Sequence, residues 1–153
     1  MPANNTSTHI VARLRHAMIA RHANPWSAWT RWASTPLVLI PVWTRRRRHA
    51  VLVAGWLAVN PVVFPKPVDD HAWATRAMLG EERWILDRPR DMSMALSLIT
   101  SGVAVRAVIA ARHHHLRSAV IATGIQMALT LVYWQLMARS YDRRQQECCA
   151  VRS

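Results

Sequence analysis

The sequence predicts an all-α integral membrane protein in a single domain over residues 1–153. It has about four transmembrane helices, an N-terminal amphipathic interfacial helix and a short helix in a central polar loop. Three observations predict this. Of the 153 residues 52% are apolar, yet the mean hydropathy is near zero, because long apolar runs alternate with strongly basic connectors. The 20 Lys+Arg against 8 Asp+Glu give a net charge of +12, and the arginines are largely excluded from the apolar runs. Finally, residues 92–111 hold one charge, Arg106, and residues 118–138 hold none, each long enough to cross a bilayer. A chain this basic takes nucleic acid or an anionic membrane surface as partner. Excluding arginine from the apolar runs selects the membrane, so no nucleic-acid partner is expected.

Taken in order, residues 10–23 place Ile10, Val11, Leu14 and Met18 on one helical face and most basic residues elsewhere, the pattern of a short helix lying on a membrane surface. Asn24-Pro25 reads as a helix start, with Asn as N-cap and Pro at a position that needs no N–H. The segment 26–44 is the first expected span. Trp26, Trp29 and Trp32 at its start and Trp43 at its end are read as an interfacial belt about 25 Å apart, with Arg31 close enough to the start to snorkel.

Arg45-Arg46-Arg47-Arg48-His49 is a basic hairpin, and 50–65 is a second, shorter span without charge. Asn60-Pro61 and Phe64-Pro65 are expected to end it. Residues 66–91 form an acid-containing polar loop in which Asp69-Asp70 can cap a helix and Gly80 is a break. The spans 92–111 and 118–138 follow, joined by the basic connector 112–117. Ser97/Ser101 and Gly124/Ala128 have the spacing that lets helix backbones approach. A polar tail begins at Arg139.

Several chemistries are not expected. Cys148 and Cys149 are adjacent and form no metal spacing, and the turn carrying His113-His114-His115 points consecutive rings in different directions. No metal or cofactor follows from the sequence. The polar start shows no removable signal, and 19 Arg to one Lys suggest a GC-rich prokaryotic source.

Residues 20–31 (Ala-Arg-His-Ala-Asn-Pro-Trp-Ser-Ala-Trp-Thr-Arg), 60–65 (Asn-Pro-Val-Val-Phe-Pro) and 73–81, from Trp73 to Glu81, resemble the DUF6653 family of small prokaryotic integral membrane proteins. The H-x-N-P-x-S-x-W-T-R opening and the N-P-x-x-F-P-x-P motif carry the resemblance, which extends to Tyr141-Asp142. It implies a multi-helix protein of a prokaryotic cell membrane and no assigned activity.

An even span count puts the N-terminal helix, the junction after Asn60, the loop 66–91 and the tail on one membrane face. The polar cluster expected there comprises His22, Asn24, Asn60, Asp69, Asp70, Arg76, Glu81, Glu82 and Asp142. Helix capping and pairing with Arg76 also account for its acids. The opposite face receives the two hairpins, whose six Arg in eleven residues would meet anionic lipid head groups. Charge counts do not orient the chain, since the other face carries twelve Lys+Arg spread over longer segments. The first functional reading is a non-catalytic membrane subunit or scaffold with a membrane-protein partner, because the spans hold no acid and no paired histidines. The alternative is an interfacial enzyme using Asp69, Asp70 or His22 as acid, base or metal ligand. A small transporter is the third.

Overall fold

The computed structural model describes residues 24–65, 67, 69–87 and 92–150. The N-terminal helix expected over 10–23, and His22 with it, lies outside them. All regular structure among the described residues is helical: α1 (Pro25–Ala33), a 3-10 turn (Thr35–Val38), α2 (Leu39–Thr44), α3 (Arg47–Val63), α4 (Trp73–Asp87), α5 (Met92–Arg112) and α6 (Leu116–Ala150).

Local chemistry explains where these elements start and stop. Asn24 caps α1 by accepting from the N–H groups of Trp26 at 2.9 Å and Ser27 at 3.4 Å, with Pro25 at the first helical position. The segment 26–44 is not the single helix expected. Pro36 has no N–H to continue the α-helical ladder, so the chain closes a tighter turn through Leu37 N–H to Ser34 O and resumes as α2. Arg45 then takes a left-handed conformation (φ 54°), as His114 (φ 57°) does in the second hairpin. Helix α3 begins within the arginine run, passes through Pro61 instead of stopping there, and ends with Phe64 as its C-cap, at the second of the two expected stops. Pro61 lacks the N–H that would bond Leu57 O, and only Val62 and Val63 follow it before the helix ends.

Two further expectations change for packing reasons. Gly80 does not break the loop helix: α4 runs through it, and the position is glycine because a Cβ there would collide with the backbone carbonyl of Met137. The glycine permits close contact, and Ala74, Ala77 and Met78 of α4 are buried as well. Nor does the last helix stop at Ala138. It extends to Ala150, and its polar extension carries Asp142 onto α4 and Tyr141 onto the loop before it.

The segments run up and down between two ends. At one end Asn24 meets Pro65, Tyr141 meets Asp70 and Asp142 meets Arg76. At the other, Arg45 Nη2 donates to Arg112 O at 3.2 Å and Trp43 lies edge-on to His114 at 4.8 Å. One core, at the first end, gathers Ala28, Ala74, Ala77, Met78, Tyr133, Trp134, Met137 and Ala138. A smaller one near the basic end joins Ala110, Ala111 and Ala119 to Leu39, Val42 and Trp43. Neither small-residue pair takes part in these cores: Gly124 has open space beside it, and Ala128 and Ser101 are exposed.

Two helices, Met92–Arg112 and Leu116–Glu147, are long and apolar enough to cross a membrane. Only 17% and 22% of their most apolar stretches are buried, whereas the core helix of a soluble domain is mostly buried.

Candidate functional site

The polar residues at the motif end form an inner clasp and an outer ring. In the clasp, Ser27, Thr30 and Arg31 share one face of α1, since positions three and four apart coincide on a helix. Ser27 Oγ donates to Asn60 Oδ1 at 2.9 Å, and Asn60 Nδ2 donates to Thr30 Oγ1 at 2.7 Å. Asn60 is fully buried, and both ends of its amide are satisfied, as burial requires. Asn24 adds a third link, its Nδ2 donating to Pro65 O at 2.9 Å. The two sequence motifs are thus bonded to each other.

Beside the clasp, Arg31 turns inward, where the sequence led us to expect snorkelling. Its Nε donates to Ser27 O at 3.2 Å and its Nη2 lies 3.9 Å from Met78 Sδ. It also attracts Glu81 electrostatically. Burial pushes the Glu81 carboxyl above the usual carboxylate range, and the Arg31 charge and the Tyr133 hydroxyl, 3.5 Å from Oε1, act in the opposite direction. A carboxyl shifted in this direction beside an arginine can hold or hand on a proton.

An aromatic wall lies alongside. Trp29, Trp73 and Trp134 contact one another with centroids 5.8 to 6.0 Å apart, and Trp32 adds an edge contact to Trp29 at 5.7 Å. Trp32 Nε1 donates to Met127 O at 3.1 Å and Trp73 Nε1 to Gln135 Oε1 at 2.8 Å. Of the tryptophans read as an interfacial belt, Trp26 is exposed, Trp29 and Trp32 also join helices, and Trp43 sits at the basic end.

The outer ring is more open. Arg76 Nη1 bonds both carboxylate oxygens of Asp142 at 3.2 and 3.3 Å, with both side chains partly exposed. Tyr141 donates to Asp70 Oδ2 at 2.9 Å, accepts from Gln145 at 2.9 Å and carries the Arg83 guanidinium 5.1 Å above its ring. Asp69 accepts from the His71 N–H at 3.0 Å, and Glu82 is half-exposed on α4.

Of the residues expected to cluster, Asn24 and Asn60 therefore lie in the clasp, Glu81 next to it, and Asp70, Arg76 and Asp142 in the ring. Sequence reasoning missed Ser27, Thr30, Arg31, Tyr133 and Tyr141. The first three were detectable as a polar stripe at helical spacing within an apolar segment. At the basic end the rings of His113 and His115 stack at 6.3 Å while His114 meets Trp43.

The family model DUF6653 matches residues 11–143. The chain belongs to this family. Its description is a family of unknown function, and the match spans the whole clasp and all of the outer ring except Gln145. No curated protein and no solved structure matches the chain.

Proposed function

We propose that this DUF6653 protein is a four-span integral membrane protein, with spans over 26–44, 50–65, 92–111 and 118–138, acting as a non-catalytic subunit or scaffold of a prokaryotic cell membrane. The observation that carries the reading is an inverted distribution of polarity. Val51, Leu52, Leu98, Ile99, Val105, Val120 and Ile121 are all more than half exposed, while Ser27, Asn60 and Thr123 are buried. Water would penalise an apolar surface of that extent. Lipid accepts it and favours polar groups bonded to one another inside. The segment 26–44, with its 3-10 turn, extends about 30 Å, and the 17 residues of α3 about 25 Å, both within reach of a bilayer core.

The scaffold reading is supported by the use made of the polar side chains: Asn24, Asn60, Asp70, Arg76 and Asp142 all join one element to another. A bilayer and its anionic head groups are the expected surroundings, with a second membrane protein as partner. Alkaline carbonate washing of membranes containing the full chain is the test. The protein stays in the pellet; release without detergent overturns the reading.

Partly buried Glu81 favours a second reading, an interfacial enzyme or proton carrier built around Arg31, Glu81 and Tyr133. Glu81→Gln separates the two: a scaffold keeps its associations and its cellular role, whereas a proton-handling site loses function while the protein remains folded and abundant.

A further inference from the structure

The basic end contains a feature that the scaffold reading leaves unused. Between the first segment and α6 runs a groove of about 460 Å³, lined among others by Leu39, Ile40, Trp43, Ala119, Val120 and Gly124. Its origin is local. Pro36 diverts the first segment into a 3-10 turn, and α6 presents Ala119, Thr123 and Gly124 there, none large enough to fill the gap. A Cβ on Gly124 would meet nothing within 4 Å. Its lining on α6 runs from Leu116 to Met127, about 17 Å at 1.5 Å per residue, which matches most of one acyl chain.

Arginines flank its lining in the sequence. Thr44, Ala111 and Leu116 line the groove, and their chain neighbours are Arg45, Arg112 and Arg117. The Arg45 guanidinium reaches across to Arg112 O at 3.2 Å and draws the two hairpins together. Arg46, Arg47 and Arg48 continue the positive charge. All eight acidic residues of the chain fall within 69–91 and 142–147, so nothing acidic in the sequence of either hairpin offsets it. An apolar slot of that length, flanked in sequence by arginines and by no acidic residue, is complementary to an anionic phospholipid.

We propose that this groove is a specific site for one anionic glycerophospholipid, its acyl chain along Trp43, Val120 and Gly124 and its phosphate against Arg45 and Arg117. The site rests on the membrane-spanning reading. It goes beyond general attraction between arginines and head groups by fixing a chain in a defined slot.

Trp43 supplies the readout. The full chain is reconstituted in phosphatidylcholine vesicles containing a small fraction of acyl-brominated phosphatidylglycerol or, separately, acyl-brominated phosphatidylcholine. The difference in quenching between the wild type and Trp43→Phe isolates the groove signal. Brominated phosphatidylglycerol should quench Trp43 at several-fold lower mole fraction than brominated phosphatidylcholine. Arg117→Gln should reduce that preference about fivefold, the usual share of one basic residue near an anionic head group. Gly124→Leu, which fills the slot from a position with room for a side chain, should abolish it. Equal quenching by both lipids in vesicle-bound protein overturns the proposal. So does a preference that survives Gly124→Leu, which would reduce it to head-group attraction. Loss of a dimer on Gly124→Leu without any lipid preference assigns the groove to a second copy and overturns it too. Failure of the chain to float with vesicles overturns the membrane reading itself, an outcome distinct from the others.

Discussion

Ser27 and Asn60 meet at 2.9 Å across 33 residues of sequence, in a setting where neither side chain touches solvent. Because Thr30 accepts from the other end of the same amide, Asn60 fixes the rotation of α1 against α3. That rotation decides which way Arg31 points, since Arg31 lies one turn beyond Ser27 on the same face. The clasp therefore positions the arginine that faces Glu81.

Replacing Asn60 by Leu tests the clasp. The substitution keeps the approximate volume and removes both bonds, leaving two hydroxyls to find other partners. The expected loss is roughly 1–3 kcal/mol, read as a lower melting temperature in detergent. Asn60→Ser, which keeps a polar group but cannot span both partners, should fall between Leu and the wild type.

Gly80 and Gly124 should respond to alanine with opposite signs. At Gly80 the new Cβ meets the Met137 backbone, which cannot yield without moving α4 or α6, so Gly80→Ala should destabilise by about 1–3 kcal/mol or more, as overpacking does. Gly124 is mid-helix with open space beside it, and alanine there should gain about 0.5–1 kcal/mol from reduced backbone freedom. Thermal unfolding of the two single variants checks the pair.

The same two glycines mark what the sequence could and could not reveal. Hairpin positions were legible because arginine runs and long charge-free stretches are properties of consecutive residues. So was the start of α1, since Asn-Pro carries its capping chemistry locally. The break at Ser34 was missed although Pro36 and Pro41 stood in the segment, because apolarity, not the backbone N–H ladder, defined the span. Gly80 read as a break because its partner, Met137, is 57 positions away. The polar stretch after Ala138 looked like a tail for the same reason: Tyr141 and Asp142 become helix-stabilising only once the loop before α4 supplies Asp70 and α4 supplies Arg76. At the site, residue types were visible and pairings were not.

A four-span arrangement fixes which positions share a compartment. Single cysteines at His71 and Gln146, in a chain with Cys148 and Cys149 replaced, should be labelled from the same side by an impermeant thiol reagent. Arg47 and His114, at the opposite end of the helices, should be labelled from the other side. Any split between His71 and Gln146 would make the number of crossings after the loop odd, and would remove one of the spans from the reading.

The Glu81 carboxyl gives the last prediction, a pH dependence whose sign is set by its burial. In the fold its pKa lies above the usual range, with burial as the largest cause. A carboxyl raised in this way binds its proton more tightly in the folded than in the unfolded chain. Its contribution to stability is therefore fully present below the unfolded value of about 4.3 and is lost as pH rises through the folded value. Melting temperature in detergent should accordingly fall as pH is raised from near 4 across that interval, and the fall should be shallower in Glu81→Gln, whose amide does not titrate. Arg31 modulates the size of the effect. With Arg31→Met its attraction for the carboxylate is gone, the Glu81 proton is held still more tightly, and the decline should extend to higher pH. Identical pH profiles for the wild type and Glu81→Gln would show that the buried carboxyl is not linked to stability, and an Arg31→Met profile moved to lower pH would show that the two groups do not interact as the structure has them.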